Sequence, residues 1–346
     1  MNNQELIIEV NNLKTYFKLD EGTVKAIDGA TFNIRRGETL GLVGESGCGK
    51  SMIARSILRI IDPPGKIVDG QILFHRNAGF TDGGKHVEKV IDLAKINPNS
   101  PEMRAIRGAE IAMIFQEPMT SLSPVYTIGN QIIEAIQLHR PVTNEQARQE
   151  AIDALRRVGM SLPERRVDEY PHQLSGGMRQ RAMIAMALSC QPSLLLADEP
   201  TTALDVTTQA QILELMMRLK REFGMGIVMI THDLGVIAEI AQRVVVMYLG
   251  RVAEIADVRS LFHDPRHPYT QALLKSIPKV GRRARVRLQS VKGMVPNPYD
   301  RPNGCLFHPR CPAFMPGVCD RSEPPLISLG GERQVSCFLY GGAEKS

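Results

Sequence analysis

The run GLVGESGCGKS (41–51) decides how this chain is read, because from Gly44 to Ser51 it has the spacing G-x-x-x-x-G-K-[ST] of a phosphate-binding loop. Gly44, Gly47 and Gly49 let the backbone curl so that successive N–H groups point inward at phosphate oxygens. Lys50 brings a point charge to the β- and γ-phosphates, and the Ser51 hydroxyl is a ligand for Mg²⁺. Such a loop joins a strand to a helix, and both flanks agree. ETLGLVG before it is apolar and β-prone, whereas SMIARSILRII after it carries a helical stripe through Met52, Ile53, Ser56, Ile57 and Ile60. The phosphates then meet a helix N-terminus, where unpaired N–H groups and the helix dipole favour anions.

A chain of 346 residues is long enough for about two domains, and 43% hydrophobic with 23% charged residues is ordinary for a globular protein. A net charge of +5, from 42 Lys+Arg against 37 Asp+Glu, gives no reason to expect nucleic acid as a partner. The basic excess is partly local, in GRRARVR (281–287), which reads as a solvated linker before it reads as a phosphate or lipid contact. No apolar run approaches the roughly 20 residues needed to cross a bilayer, and the N-terminus lacks the basic-then-apolar order of a signal peptide. The expectation is a cytosolic or peripheral protein.

Further candidates follow in chain order. Tyr16 and Phe17 precede the loop, where an aromatic ring can stack on a base or simply lie in the sheet; Phe17 is the candidate. The polar, glycine-rich GFTDGGKH (79–86) reads as a hairpin tip or an insertion. The strand IAMIFQE (111–117) brings Gln116 near its end, where an amide can ligate Mg²⁺ and order a water, or merely cap the strand. From 127 to about 167 the pattern is helical, with Asn144 as an N-cap and Gly159 just past a C-terminus. Ser175, Gly176 and Gly177 stand before a Met- and Ala-rich helix, a second anion-binding helix start or an ordinary cap.

SLLLADEPTTALD (193–205) reads as a buried parallel strand that presents Asp198 and Glu199 at its C-terminal edge. Asp198 would hold Mg²⁺ through water and Glu199 would accept the proton of an attacking water. GIVMITH (226–232) ends in His232, an imidazole that can hydrogen-bond a γ-phosphate. Beyond 257 the chain turns proline-rich, and four of its six cysteines, Cys305, Cys311, Cys319 and Cys337, fall there with 5, 7 and 17 residues between them. In a cytosolic protein such clustering points to metal before disulfide, with tetrahedral zinc, an iron–sulfur cubane and four reduced thiols all open. Cys190 reads as packing.

The order of phosphate loop, Gln116, LSGGM (174–178), LLLADEP (194–200), ALD (203–205) and His232 resembles the ATP-binding cassette ATPases. The resemblance implies an α/β, P-loop NTPase cassette with a RecA-like core, an antiparallel β subdomain and a helical subdomain at about 120–175. The cassette occupies 1–257, and a small Cys-rich C-terminal domain occupies 258–346. It further implies that ATP and Mg²⁺ are bound by the run Gly44, Glu45, Ser46, Gly47, Cys48, Gly49, Lys50, Ser51 and Met52. Two cassettes close face to face, so that Ser175, Gly176, Gly177 and Asp205 act on the ATP of the opposite cassette. Met178 departs from the glutamine more common in the signature, and Met52 from a common second hydroxyl residue.

GESGCGKS (44–51), IFQEPMTSLSP (114–124), YPHQLSGGMRQR (170–181), HPYTQALL (267–274), and RPNGC (301–305) with PRCP (309–312) narrow the resemblance to the ATPase subunits of dipeptide and oligopeptide importers, above all the D type. That likeness implies a [4Fe-4S] cluster at Cys305, Cys311, Cys319 and Cys337, with Zn²⁺ as the alternative. Two transmembrane permease subunits, a second related ATPase and an extracytoplasmic binding protein complete the assembly, on the cytoplasmic face of the inner membrane. An importer of nickel or oligosaccharides is the alternative within the group. A soluble cassette ATPase acting on ribosomes or DNA is the alternative from another class.

Overall fold

The flanks of the phosphate loop fold as their composition dictates. The structure is a computed structural model and describes residues 5–80, 86–116, 121–202, 204–276, 291 and 293–341. Its first elements are β1 (Leu6–Leu19), β2 (Gly22–Arg35), β3 (Thr39–Val43), α1 (Lys50–Ile57), β4 (Gly65–Phe80), β5 (His86–Asp92), α2 (Pro101–Ile106) and β6 (Ile111–Ile114). There follow α3 (Ile128–Gln137), α4 (Asn144–Arg157), α5 (Pro163–Arg166), α6 (Gly176–Leu188), β7 (Leu194–Asp198), α7 (Val206–Phe223), β8 (Gly226–Ile230) and α8 (Leu234–Ile240). The chain closes with β9 (Arg243–Tyr248), β10 (Arg251–Asp257), α9 (Val258–His263), α10 (Pro268–Lys275), β11 (Ile327–Gly330) and β12 (Arg333–Val335).

These elements form two compact units. One comprises Ile8–Ile34, Thr39–Lys95 and Ile230–Ser346, and so contains both the phosphate loop and the residues beyond 257. Its antiparallel sheet runs β2-β1-β4-β5, and its second set of strands runs β11-β12-β10-β9-β3. β3 and β9 pair in parallel, Leu40 opposite Arg243 through Val43 opposite Val246, and every residue of both strands is buried. A strand covered on both faces needs a continuous apolar run rather than an alternating one, which TLGLV and RVVVMY supply. α8 lies close on β3: a Cβ built on Gly41 would stand 3.0 Å from the Ile237 side chain.

The other unit is built mainly from Ile96–Met229. β6 and β7 pair in parallel, and β8 is the next strand after β7. The helical stretch starts at Thr127, whose side chain caps α3, and continues into α4. Thr143, not Asn144, is the α4 N-cap: its hydroxyl accepts from Gln146 N–H and the Gln146 side chain accepts from Thr143 N–H at 3.0 Å. That reciprocal box satisfies two otherwise unpaired donors, which Asn144 as cap would not. Gly159 follows the helix at φ 72°, as a residue past a C-terminus does.

Two strands end earlier than their sequence suggests. β6 stops at Ile114, where its ladder with β7 reaches Ala197, so Gln116 lies two residues past the strand; Glu117 is outside the described residues. β8 stops at Ile230, because Thr231 accepts from Asp233 N–H and Asp233 in turn caps α8; His232 sits in this turn. The segment 77–95 is a hairpin of β4 and β5, with 81–85 outside the described residues, as is the basic run 281–287. Among the described residues no helix is long and apolar enough to cross a membrane.

The residues beyond 257 are anchored by a buried carboxylate. Glu254 of β10 is 0% exposed and accepts from the N–H groups of Arg266 (2.9 Å) and His267 (2.8 Å), with Arg333 of β12 at 3.7 Å. His267 then caps α10, its Nδ1 accepting from Tyr269 N–H at 3.0 Å, and burial pushes its pKa down from 6.5 to about 4. Below pH 6.5 an unfolded chain therefore takes up a proton that the folded one refuses. Stability contributed by neutral His267 is complete above pH 6.5 and is lost as the pH falls to about 4, by about 3 kcal/mol across that window. The thermal midpoint of the wild type is expected to fall between pH 6.5 and 4 more steeply than that of His267→Gln. Parallel curves would show that another group is responsible.

Candidate functional site

The phosphate loop is a tight turn in which Gly44 and Gly49 leave no room for a side chain. Gly44 has φ 154° and Gly49 φ 97°; a Cβ on Gly44 would strike the Met247 carbonyl and the Cys48 sulfur, and one on Gly49 the Ala26 carbonyl. Lys50, 6% exposed, donates Nζ to the carbonyls of Gly44 (2.8 Å) and Glu45 (3.1 Å), so the ammonium lies along the inner side of the loop. Cys48 N–H bonds back to Glu45 O at 3.2 Å, and Cys48 O accepts from Gly250 N–H at 2.9 Å. Burial pushes the Cys48 thiol up, against the pull of the Lys50 charge. Ser46 and Gly47 are exposed at the crest, and Ser51 and Met52 begin α1 behind Lys50.

The two upstream aromatics part company. The Tyr16 hydroxyl donates to Asp28 at 2.5 Å, while Phe17 lies half-exposed opposite Gly65 of β4, so close that a Cβ there would collide with its ring. Asp28 is itself a junction. Burial opposes its charge, yet the Tyr16 hydrogen bond and the guanidinium groups of Arg251 (3.2 Å) and Arg301 (3.0 Å) hold its carboxyl below the usual range. Three groups next to the loop were not visible in the sequence: Arg301, Arg310 and Tyr269. Arg310 pairs with Glu45 across 265 positions, and no local period or motif spans such a distance.

In the other unit Asp198 closes β7, 5% exposed, and Glu199 follows at φ 47°, a left-handed backbone that is costly for a residue with a side chain. One carboxylate oxygen of Glu199 accepts from Gln116 Nε2 (3.2 Å) and from Thr202 Oγ1 (2.8 Å). Gln180 of α6 donates to Pro200 O at 2.5 Å and so pins the next residue. The structure thus brings Gln116 and Glu199 together, whereas the supports Thr202 and Gln180 have no sequence signal of their own. Ser175 is the exposed N-cap of α6, accepting from Met178 N–H at 3.4 Å; Gly176 is exposed beside it. A Cβ on Gly177 would stand 3.0 Å from the Thr208 methyl, and Thr208 donates to both oxygens of Asp205, the exposed N-cap of α7. Those hydrogen bonds hold the Asp205 carboxyl below its usual range. His232 is exposed in the unit of the phosphate loop.

The four late cysteines are all free thiols, as are Cys48 and Cys190. Cys305 N–H bonds to Cys319 O at 2.8 Å, which ties two of them through the backbone. Burial pushes up the thiols of Cys305, Cys311 and Cys337, and the neighbouring thiols add to it: Cys319 and Cys337 act on Cys305, and Cys305 and Cys319 on Cys311. Among the described residues, no three His, Cys, Asp or Glu side chains form a group that would hold a single metal ion. Cys190 follows α6, with its sulfur 3.7 Å from Ala135 O.

Residues 27–202 match the family model described as ABC transporter, and residues 253–319 that described as the oligopeptide/dipeptide transporter C-terminal region. The chain is 46% identical over 331 residues to the dipeptide transport ATP-binding protein DppD of Escherichia coli (strain K12), covering 96% of each. It is 50% identical over 343 residues to the oligopeptide transport ATP-binding protein AppD of Bacillus subtilis (strain 168), covering 98% of this chain and 99% of that one. A solved dimer of the ATP-binding cassette MJ0796, in a post-hydrolysis state with ADP and Pi, matches at TM-score 0.61 and 27% identity over 73% of this chain and 99% of that one.

The loop geometry orders two substitutions. Gly49→Ala, which drives a Cβ into backbone, is expected to weaken ATP binding at least about 10-fold, as strain of 1–3 kcal/mol would. Gly47→Ala, whose Cβ meets nothing within 4 Å, is expected to lose less. Titration with a fluorescent ATP analogue reads both, and the reverse order would contradict the loop packing described.

Proposed function

The chain belongs to the ABC transporter family, as an ATP-hydrolysing subunit of a dipeptide or oligopeptide importer, and on that premise we propose how its residues divide the work. It forms one of two cassettes on the cytoplasmic face of the inner membrane, paired with a second, related ATPase beneath two permease subunits. An extracytoplasmic binding protein delivers the peptide. The cassette occupies 1–257, with its helical subdomain at about 120–175, and the C-terminal region occupies 258–346.

Phe17 stacks on the base, and the loop from Gly44 to Met52 holds the phosphates through its N–H groups and Lys50. Ser51 and Gln116 would ligate Mg²⁺, with Asp198 acting through water, and the ion would neutralise phosphate charge. Gln116 uses Nε2 on Glu199, which leaves its carbonyl oxygen for the metal. Glu199 takes the proton of the attacking water, and His232 hydrogen-bonds the γ-phosphate. Ser175, Gly176, Gly177 and Asp205 serve the ATP of the opposite cassette, in keeping with the exposure of Ser175, Gly176 and Asp205.

The observation that carries the catalytic assignment is the grip on Glu199. A left-handed backbone is costly for a mere strand end, and two donors on one carboxylate oxygen hold the side chain in that place, which supports Glu199 as the base.

The same reading gives Cys305, Cys311, Cys319 and Cys337 a [4Fe-4S] cluster. Its support is the four free thiols and their mutual electrostatic reach. When bound, the cluster would cross-link segments remote in sequence and so stabilise a region with few buried apolar residues.

Two measurements test these assignments. Glu199→Gln is expected to bind ATP as the wild type does and to lose turnover by about 10²–10⁴-fold; normal hydrolysis would remove Glu199 as the base. Protein purified without oxygen is expected to be brown, with about four irons and four sulfides per chain, whereas one zinc and no colour would replace the cluster by zinc.

A further inference from the structure

We infer that Arg310 is a positioning residue for the phosphate loop, through which the cysteine-bearing tail sets the loop's affinity for nucleotide. The Arg310 side chain is 3% exposed, and it grips Glu45 with both ends of its guanidinium, at 2.7 and 3.0 Å. The same guanidinium donates to the Tyr248 hydroxyl (3.2 Å) and to Val291 O (3.3 Å), so it is fixed on several sides. A second tail residue holds the other end of Glu45: its N–H donates to the hydroxyl of the fully buried Tyr269 at 2.8 Å. Tyr269, Tyr248 and Phe307 pack with ring centroids 4.7 to 5.4 Å apart, which seats both contacts in one aromatic cluster.

Glu45 is an awkward residue for its place. It follows Gly44 in a loop whose backbone gathers anions, and a bare carboxylate there repels phosphate. Arg310 neutralises that charge and holds the loop in one shape, so nucleotide binding loses less to ordering. A bidentate fork is specific to arginine; lysine would restore the charge without the geometry.

Arg310 is carried on a turn between two candidate ligands. His308 N–H bonds to Cys305 O at 3.0 Å, Arg310 N–H to Phe307 O at 3.0 Å, and Cys311 N–H to His308 O at 3.2 Å. Whatever bridges Cys305 and Cys311 therefore fixes the turn that presents Arg310. This second step rests on the cluster reading; the Arg310–Glu45 step does not. By linkage, nucleotide bound at the loop must in turn steady the cysteines.

The test uses the full chain and reads ATP affinity by titration, KM and kcat by hydrolysis, and thermal stability as a check of folding. Arg310→Gln is expected to raise both Kd and KM for ATP about 10-fold with kcat changed less than about 2-fold, and Arg310→Lys to fall between it and the wild type. The double variant Glu45→Gln/Arg310→Gln is expected to regain most of the affinity, because the unpaired carboxylate is gone. Wild-type affinity in Arg310→Gln, or a double variant weaker than the single one, would overturn the proposal. If Arg310→Gln does not fold, Arg310→Lys and the double variant carry the comparison.

For the tail step, Cys305→Ser/Cys311→Ser is expected to show the raised Kd of Arg310→Gln, and Arg310→Gln added to it to change nothing more. MgADP is expected to slow the loss of visible absorbance to an iron chelator in the wild type but not in Arg310→Gln. Independent, additive effects would sever the tail from the loop. A wild type without iron would end the cluster reading and leave the Arg310–Glu45 comparison to be judged alone.

Discussion

A loop that turns its N–H groups toward an anion has few means of bracing itself. Its glycines carry no side chains, and its internal ties are the Lys50 ammonium on the carbonyls of Gly44 and Glu45 and the Cys48 N–H on that of Glu45. The other braces come from the unit around the loop. Carbonyls of Ala26 and Met247 crowd the glycines, Ser56 of α1 meets Thr15 of β1 at 3.0 Å, and Tyr269 and Arg310 take hold of Glu45. The buried parallel pair of β3 and β9 fixes the carbonyl row on which the turn rests. That such a loop has one shape is a property of its surroundings more than of its own eight residues.

The strand ends obey a related constraint. A buried apolar strand such as β7 can deliver a carboxylate to a crevice only where its ladder stops, and the residue after Asp198 must leave the pleat at once. Glu199 does so by adopting a left-handed backbone, and Thr202 and Gln180 keep it there by holding its carboxylate and the Pro200 carbonyl. The cost of that conformation is met by hydrogen bonds from neighbours that have no chemical task of their own.

How much of this could be read from the residues follows from range. The phosphate loop, the strands β3, β7 and β8 and the helix start at Ser175 are local matters of spacing and residue type, and they appear where the sequence puts them. The α4 cap was equally local: T-x-x-Q (143–146) is a capping box, and Asn144 drew attention only because asparagine is a good cap in isolation. By contrast, Arg310 on Glu45, Arg301 on Asp28 and Glu254 under Arg266 and His267 depend on where remote segments dock. Arginine and glutamate on a proline-rich surface look like solvated charge until the fold shows what covers them. The four cysteines lie between these cases, legible as a set from their spacing while their occupant is a question of chemistry rather than of pattern.

Asp28 gives the C-terminal residues a meaning beyond their own chemistry. It lies buried in the hairpin of β1 and β2, and one of its guanidinium partners, Arg301, arrives from the tail; Arg301 also reaches the carbonyls of Lys25 and Leu249. Cutting the gene after β10 would yield a chain with every motif of an ATPase and two acids, Asp28 and Glu45, stripped of a cation each. The folding unit of this chain is then longer than the stretch that sequence motifs delimit. The stretch that holds the motifs thus depends, at two buried or half-buried acids, on cations that lie outside it.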